Sequence, residues 1–397
     1  MTKLKYRETP LSCLPRRHRR PFGCRQMISA DALTAVCRVG TLKERQGLGG
    51  SMKNRALVGA IAALLVMSSC ASSDTDRPQD AGTTQAGSSP AAASSASQHP
   101  FADEKAWIAY QTDRSGSEGV WLIHPDGTED HQIAQDAGGA QLLPDWSPDG
   151  SRLVFTTRGG STEPLYEHDL AQQKSRQLFA CTDPCLGDDE PAYSPDGKKV
   201  AFIRALGPFT GDLPKDCGLW IGDPTTGQVR QITSNTKPRC DREYMPRWAP
   251  DGSRLTYWRQ PPEGGEPTAT AVFIINADGR KDRRLTKPSL VAGEPDWSPD
   301  GKWIVFATHP LNQFQCCEQS NLYRIHPDGS GLQQLTKFEG TDLRATQPRY
   351  GPDGKWILFT SVTPSSRTLS ALPADGGQPV AITTSGIYTH STWQPSS

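Results

Sequence analysis

Beyond about residue 104 the chain is a series of short apolar runs, each rich in β-branched and aromatic residues and each ended by a Pro-Asp-Gly type turn. No run carries an apolar i, i+3, i+4 pattern of useful length, so the pattern predicts strands and not helices. One stretch recurs five times: PDWSPDGSRLVF (144–155), PAYSPDGKKVAF (191–202), PRWAPDGSRLTY (246–257), PDWSPDGKWIVF (295–306) and PRYGPDGKWILF (348–359). A truncated sixth copy, STWQP, occupies 391–395. Successive copies start 47, 55, 49, 53 and 43 residues apart. That period is the length of a four-stranded propeller blade.

Each copy reads as strand A, a tight turn and strand B. In the first, Trp146 ends strand A, Ser147-Pro148-Asp149-Gly150 turns, and Leu153, Val154 and Phe155 form strand B. Proline presets φ at the second turn position, aspartate bonds nearby backbone, and glycine accepts the positive φ at the exit. A second hairpin follows, as in GVWLIHPDGTEDHQIA (119–134), AVFIINADGRKDRRLT (271–286) and NLYRIHPDGSGLQQLT (321–336), giving strands C and D. EKAWIAY (104–110) resembles a strand B whose strand A is missing, and STWQP a strand A with nothing after it. Pairing the segment around Trp107 with that around Trp393 completes a sixth blade and removes an exposed sheet edge. The expected fold is all-β: a six-bladed β-propeller over 101–397, closed by pairing of its N- and C-terminal strands.

The N-terminal hundred residues follow a different pattern. Residues 52–70, MKNRALVGAIAALLVMSSC, have a positive start (Lys53, Arg55) and a 12-residue apolar run from Ala56 to Met67. That run is too short to span a bilayer comfortably and suits a signal peptide. Its end, Met67-Ser68-Ser69-Cys70, resembles a bacterial lipobox. The resemblance implies cleavage before Cys70 and lipidation of Cys70. Ala71 in the next position points to the periplasmic side of the outer membrane. Residues 1–51 are Arg-rich and aperiodic, and read as a leader upstream of a true start at Met52. Residues 71–100 are nearly all Ala, Ser, Gly, Thr, Gln and Pro, a composition that cannot bury enough surface to order itself. They read as a tether with a mean reach on the order of 30 Å.

Lysine plus arginine and aspartate plus glutamate each number 43, so the formal net charge is zero. No clustered basic face points to nucleic acid. Of the 10 cysteines, Cys13, Cys24 and Cys37 fall in the leader and Cys70 is the lipid site. Cys181, Cys185, Cys217, Cys240, Cys316 and Cys317 remain. An even set in an exported chain suggests disulfides. Cys181–Cys185 and Cys217–Cys240 are the expected pairs, with Cys316–Cys317 a strained third. A zinc site is the alternative, but paired knuckles are lacking.

The A–B and C–D turns are short and share one face of the expected ring. The B–C loops (204–217, 258–270, 308–320) and D–A loops (180–190, 234–245) are long, share the other face and carry all six of these cysteines. Elaboration on one face of a repeat protein marks a binding face. The residue before each copy should ring the channel mouth there: Leu143, Glu190, Met245, Glu294, Gln347 and His390. With Asp188, Asp189 and Glu243 nearby, this makes an acidic, partly polar rim able to take a cation, a basic peptide or a sugar, or simply to be solvated.

No G-x-S-x-G, HExxH or Walker loop occurs, and neither a cofactor nor a catalytic residue is expected. His124 and His326 share one C–D turn position with Asp169, Asp223 and Asn276. The position is therefore read as a structural one that bonds turn backbone. His309, His390 and Gln347 keep open a divalent-metal, carbohydrate-active reading, and paired carboxylates such as Glu190 and Glu294 could do glycosidase work.

The pattern P-x-[WY]-[SA]-P-D-G-x-x-[ILV]-x-[FY], with a distal [LI]-T ending strand D, resembles the WD-like repeats of the TolB propeller family, and covers about 101–397. The resemblance implies a monomeric propeller that binds an envelope protein or peptide across one face, here held to a membrane by its lipid anchor.

Overall fold

The computed structural model describes residues 100–101, 104–160, 162–210, 213–234, 242–260, 270–308, 320–338 and 343–395. Its strands run in chain order through six four-stranded sheets. The first sheet holds β1 (Ile108–Thr112), β2 (Gly119–Ile123) and β3 (His131–Gln132). Blade two is β4 (Ala140–Trp146), β5 (Arg152–Arg158), β6 (Leu165–Asp169) and β7 (Lys174–Gln177). Blade three is β8 (Cys185–Tyr193), β9 (Val200–Thr210), β10 (Leu213–Gly222) and β11 (Val229–Gln231). Blade four is β12 (Arg242–Trp248), β13 (Arg254–Gln260), β14 (Ala271–Asn276) and β15 (Arg283–Arg284). Blade five is β16 (Ala292–Trp297), β17 (Ile304–Thr308), β18 (Leu322–Ile325) and β19 (Gln333–Gln334). Blade six is β20 (Arg344–Tyr350), β21 (Trp356–Val362), β22 (Arg367–Pro373) and β23 (Val380–Ala381). The last strand, β24 (Thr389–Trp393), then pairs antiparallel with β1, setting Ile108 opposite Trp393. Blade one is thus completed from both ends of the fold, as the truncated repeat requires.

The motif positions explain the packing. The closing aromatic of strand B in every blade, Tyr110, Phe155, Phe202, Tyr257, Phe306 and Phe359, is fully buried. Six apolar clusters are found among the described residues, one at each blade interface. Ala109, Val120 and Leu122, for instance, meet Trp146, Leu153 and Phe155 between blades one and two. Leu219 and Ile221 meet Trp248, Leu255 and Tyr257 between blades three and four. Burying each such aromatic stabilises by about 2 kcal/mol or more, so the core lies between sheets, where the repeat puts its largest residues.

The S-P-D-G turns form as expected. Gly150 has φ of 67° and its N–H donates to the Ser147 carbonyl at 2.9 Å. The Ser147 hydroxyl donates to Asp149 Oδ1 at 2.6 Å, and the same pair recurs at Ser194–Asp196 and Ser298–Asp300. The hydroxyl bond holds the Asp149 carboxyl down at about 2.

Two expectations change. Residues 204–217 are largely not a loop: β9 and β10 continue the blade-three hairpin outward, pairing Cys217 with Ala205 and Pro214 with Phe209 across a bulge. His124 and His326 do not bond their own turn. Each ring instead stacks on a tryptophan at the start of strand B, Trp107 at 3.7 Å and Trp303 at 3.8 Å between centroids. Each Nδ1–H donates to the carbonyl just before that tryptophan, Ala106 at 3.1 Å and Lys302 at 2.8 Å.

Candidate functional site at the channel mouth

In strand A of each blade the residue before the motif adopts a left-handed backbone, with φ of 57° at Leu143, 56° at Glu190, 48° at Met245, 57° at Glu294, 55° at Gln347 and 50° at His390. Such a conformation costs roughly 1–2 kcal/mol for a residue with a Cβ. Each sits in a β-bulge, where the ladder skips between Leu142 and Asp145, Asp189 and Ala192, Tyr244 and Arg247, Gly293 and Asp296, Thr346 and Arg349, and Thr389 and Thr392. Proline follows in five blades and removes a ladder donor there. The bulge turns the six residues toward the axis, and all six line one cavity of about 20 Å³, room for about one or two atoms the size of a water.

Three of these side chains, together with Gln111, also fasten the ring. Glu190 Oε2 accepts from the Met245 N–H at 2.5 Å, and Glu294 Oε2 from the Gln347 N–H at 2.7 Å. Gln347 Oε1 accepts from the His390 N–H at 2.9 Å, and Gln111 Oε1 from the Leu143 N–H at 3.2 Å. Each of these side chains grips the left-handed residue of the following blade. Burial, and then the neighbouring Asp189, push the Glu190 carboxyl up to about 8. Burial, and then Arg247 and Arg349, push His390 down to about 3.

One layer deeper lies a ring that the sequence reading passed over: Asp145, Ala192, Arg247, Asp296, Arg349 and Thr392, the second position of each motif. Arg349 reaches Asp145 at 3.3 Å and Asp296 at 3.6 Å. Asp145 and Asp296 also accept the N–H groups of Tyr193 (3.0 Å) and Tyr350 (2.8 Å) in the next blades. Arg247 lines the cavity, makes no ion pair among the described residues, and donates from Nη1 to the Pro246 carbonyl at 2.8 Å. Burial, and then Arg349, lower it to about 10, so it stays charged at neutral pH. The available signal was the alternation of acid and base at one repeated position.

The other expected rim residues lie elsewhere. Glu243 does not line the cavity; it is buried, takes the Arg259 guanidinium at 2.8 Å, and accepts from the Thr233 hydroxyl and the Leu219 N–H. Asp188 is buried in a two-point pair with Arg204 at 2.6 and 2.7 Å. Asp189 accepts from the Thr156 hydroxyl (2.8 Å), Arg158 (3.0 Å) and the Glu190 N–H (3.0 Å). Cys181 and Cys185 are joined in a disulfide, which removes both thiols from any metal set. Cys217 is disulfide-bonded as well. Cys70, Cys240, Cys316, Cys317 and His309 lie outside the described residues.

No protein-family model matches the chain. Over 218 residues it is 27% identical to an uncharacterized protein of Agrobacterium fabrum (Atu1656), covering 55% of this chain and 64% of that protein. Over 252 residues it is 22% identical to the Tol-Pal system protein TolB of Francisella tularensis subsp. mediasiatica, covering 63% of this chain and 52% of that protein. It therefore spans less than two thirds of the length of either relative. The crystal structure of TolB from Acinetobacter baumannii matches with a TM-score of 0.58 at 18% identity, over 75% of this chain and 67% of that one. At that identity the likeness is one of fold. With six four-stranded blades, a ring closed by its last strand and this structural match, the chain folds as a TolB-like six-bladed β-propeller.

Proposed function

We propose that the protein is a non-enzymatic binding module of the bacterial cell envelope. It is exported by the signal at 52–70, lipidated at Cys70, held at the periplasmic side of the outer membrane by the tether at 71–100, and takes an extended segment of an envelope protein into its channel mouth. The observation that carries this reading is the convergence of one residue from each blade, Leu143, Glu190, Met245, Glu294, Gln347 and His390, on a single cavity. Six strained backbones held in register make a preorganised receptor, which lowers the ordering cost of binding. Membership of the Francisella relative in the Tol-Pal system supports the envelope setting.

A metal-dependent, carbohydrate-cleaving site on the same face is less well supported. The side-chain nitrogen of Gln347 is engaged by the His390 ring and its oxygen by the His390 N–H and the Thr360 hydroxyl, and Glu190 and Glu294 each grip backbone with one oxygen. A photo-crosslinking residue placed at Met245, in cells, tests the binding reading. It should capture an envelope protein that the same residue at Asp328, on the opposite face, does not. Equal yields from both positions would refute it. Loss of lipid labelling in Cys70→Ser tests the anchor.

A further inference from the structure

We propose that the floor of the channel mouth receives one carboxylate of the bound segment, held by the Arg247 guanidinium, the His390 Nδ1–H and the Ser391 hydroxyl. The inference rests on the peptide-binding reading above and names the group recognised.

The His390 tautomer follows from its neighbour. Gln347 Oε1 accepts from the His390 N–H at 2.9 Å and from the Thr360 hydroxyl at 3.2 Å, which fixes the amide's orientation. Its Nε2 therefore donates to His390 Nε2 at 2.9 Å. His390 Nε2 accepts, and the ring proton sits on Nδ1. Nδ1 is buried and has no hydrogen-bond partner among the described residues.

Ser391 is the second unpartnered donor. Five blades place proline at this point, Pro144, Pro191, Pro246, Pro295 and Pro348; the blade completed by β24 places serine. Ser391 is 0% exposed, lines the cavity, and its hydroxyl has no partner among the described residues. A buried orphan of this kind costs about 1–3 kcal/mol, which a departure from the repeat has no packing reason to introduce. Arg247 is the third donor, lining the same cavity without a carboxylate of its own.

Three unmatched donors beside a second guanidinium, Arg349, favour an anionic acceptor. A cation would face two guanidiniums, Arg247 and Arg349, and would need the Nδ1 lone pair that the tautomer denies it. Of the lining carboxyls, burial raises Glu190 toward its neutral form, and Glu294 already spends one oxygen on the Gln347 N–H. About 20 Å³ admits a single small group and not a whole side chain, so the carboxylate arrives at the tip of a chain entering from the mouth.

The test pans the full-length chain against two random heptapeptide libraries, one with free C termini and one with the peptide flanked on both sides. The expected result is recovered peptides that share a carboxylate at one fixed position. Synthetic versions separate the sources: C-terminal amidation weakens binding at least tenfold if the chain end is read, and Asp→Asn or Glu→Gln does so if a side chain is read. Arg247→Met should abolish the preference for carboxylate over amide. Should that variant fail to fold, Ser391→Ala decides. It should lose several-fold in affinity with an unchanged or raised thermal midpoint, because its hydroxyl holds nothing in the free protein. Recovered peptides without a common carboxylate, or Mn²⁺ binding that depends on His390, would overturn the inference and leave peptide binding standing. No recovery from either library would overturn both.

Discussion

Replacing Glu190 by glutamine isolates the electrostatic cost of the channel mouth. The folded carboxyl titrates at about 8 against an ordinary 4.5, with burial as the main cause and Asp189 next. A carboxyl raised in the folded state favours folding when protonated. Its contribution is complete below pH 4.5 and is lost as pH rises through 8. Near pH 7 the folded state binds about one more proton than the unfolded state, so stability falls by roughly 1.4 kcal/mol per pH unit and levels off above 8. Between pH 7 and 9 the loss integrates to on the order of 1 kcal/mol. His390 does not blur this window. Its depressed value, about 3 against 6.5, makes its contribution present above 6.5 and lost only on acidification. Glutamine keeps an oxygen for the Met245 N–H and cannot ionise. Urea unfolding followed by tryptophan fluorescence at pH 7, 8 and 9 should show Glu190→Gln flatter than the parent by that amount. Parallel curves would refute a buried, proton-holding Glu190.

Three further outcomes follow from the packing. A chain ending at Ser385 lacks β24, exposes the edge of β1, and should lose cooperative thermal unfolding; adding a peptide of residues 386–395 should restore it, since Gln394 alone bonds both Trp107 and Gly150. Cys181→Ser removes a link between residues 4 apart and should lower stability by about 2 kcal/mol in urea titrations. Trp303→Arg should destabilise by about 1 kcal/mol through the lost stack on His326, and adding His326→Asp should recover part of it; a double-mutant cycle with no coupling would deny the pair.

That pair shows where the sequence could be read and where it could not. Blade count, closure and the identity of the mouth residues were legible because each is a repeated position, and repetition separates signal from propensity. Two further positions vary together from blade to blade. Strand B opens with Trp107, Arg152, Arg254, Trp303 or Trp356, and the residue across the hairpin is His124, Asp169, Asn276, His326 or Pro373 in turn. Tryptophan meets a ring and arginine meets a polar acceptor. The long hairpin of blade three was hidden for another reason. Gly207, Pro208, Gly211 and Pro214 signal a loop locally, and only pairing between β9 and β10 overrides them. The Glu190 and Glu294 grips were illegible because an acceptor's partner is a backbone N–H some 50 residues away, fixed by the ring and not by the local chain.

The grips run in one sense and are not continuous. Leu143 and Met245 offer no acceptor where Glu190 and Glu294 have carboxylates; the Leu143 joint is bridged instead by the Tyr193 N–H donating to Asp145 at 3.0 Å, whereas Met245 sends no hydrogen bond to Glu294 among the described residues. The joint between blades four and five is thus fastened mainly by side chains away from the axis, such as Arg254 over Trp297 and Arg283 to the Pro327 carbonyl. That arrangement predicts the mechanics of a split washer. Thermal breathing should start at that joint, amide deuteration should reach β16 before β20, and a segment wider than the resting aperture would enter by springing it there.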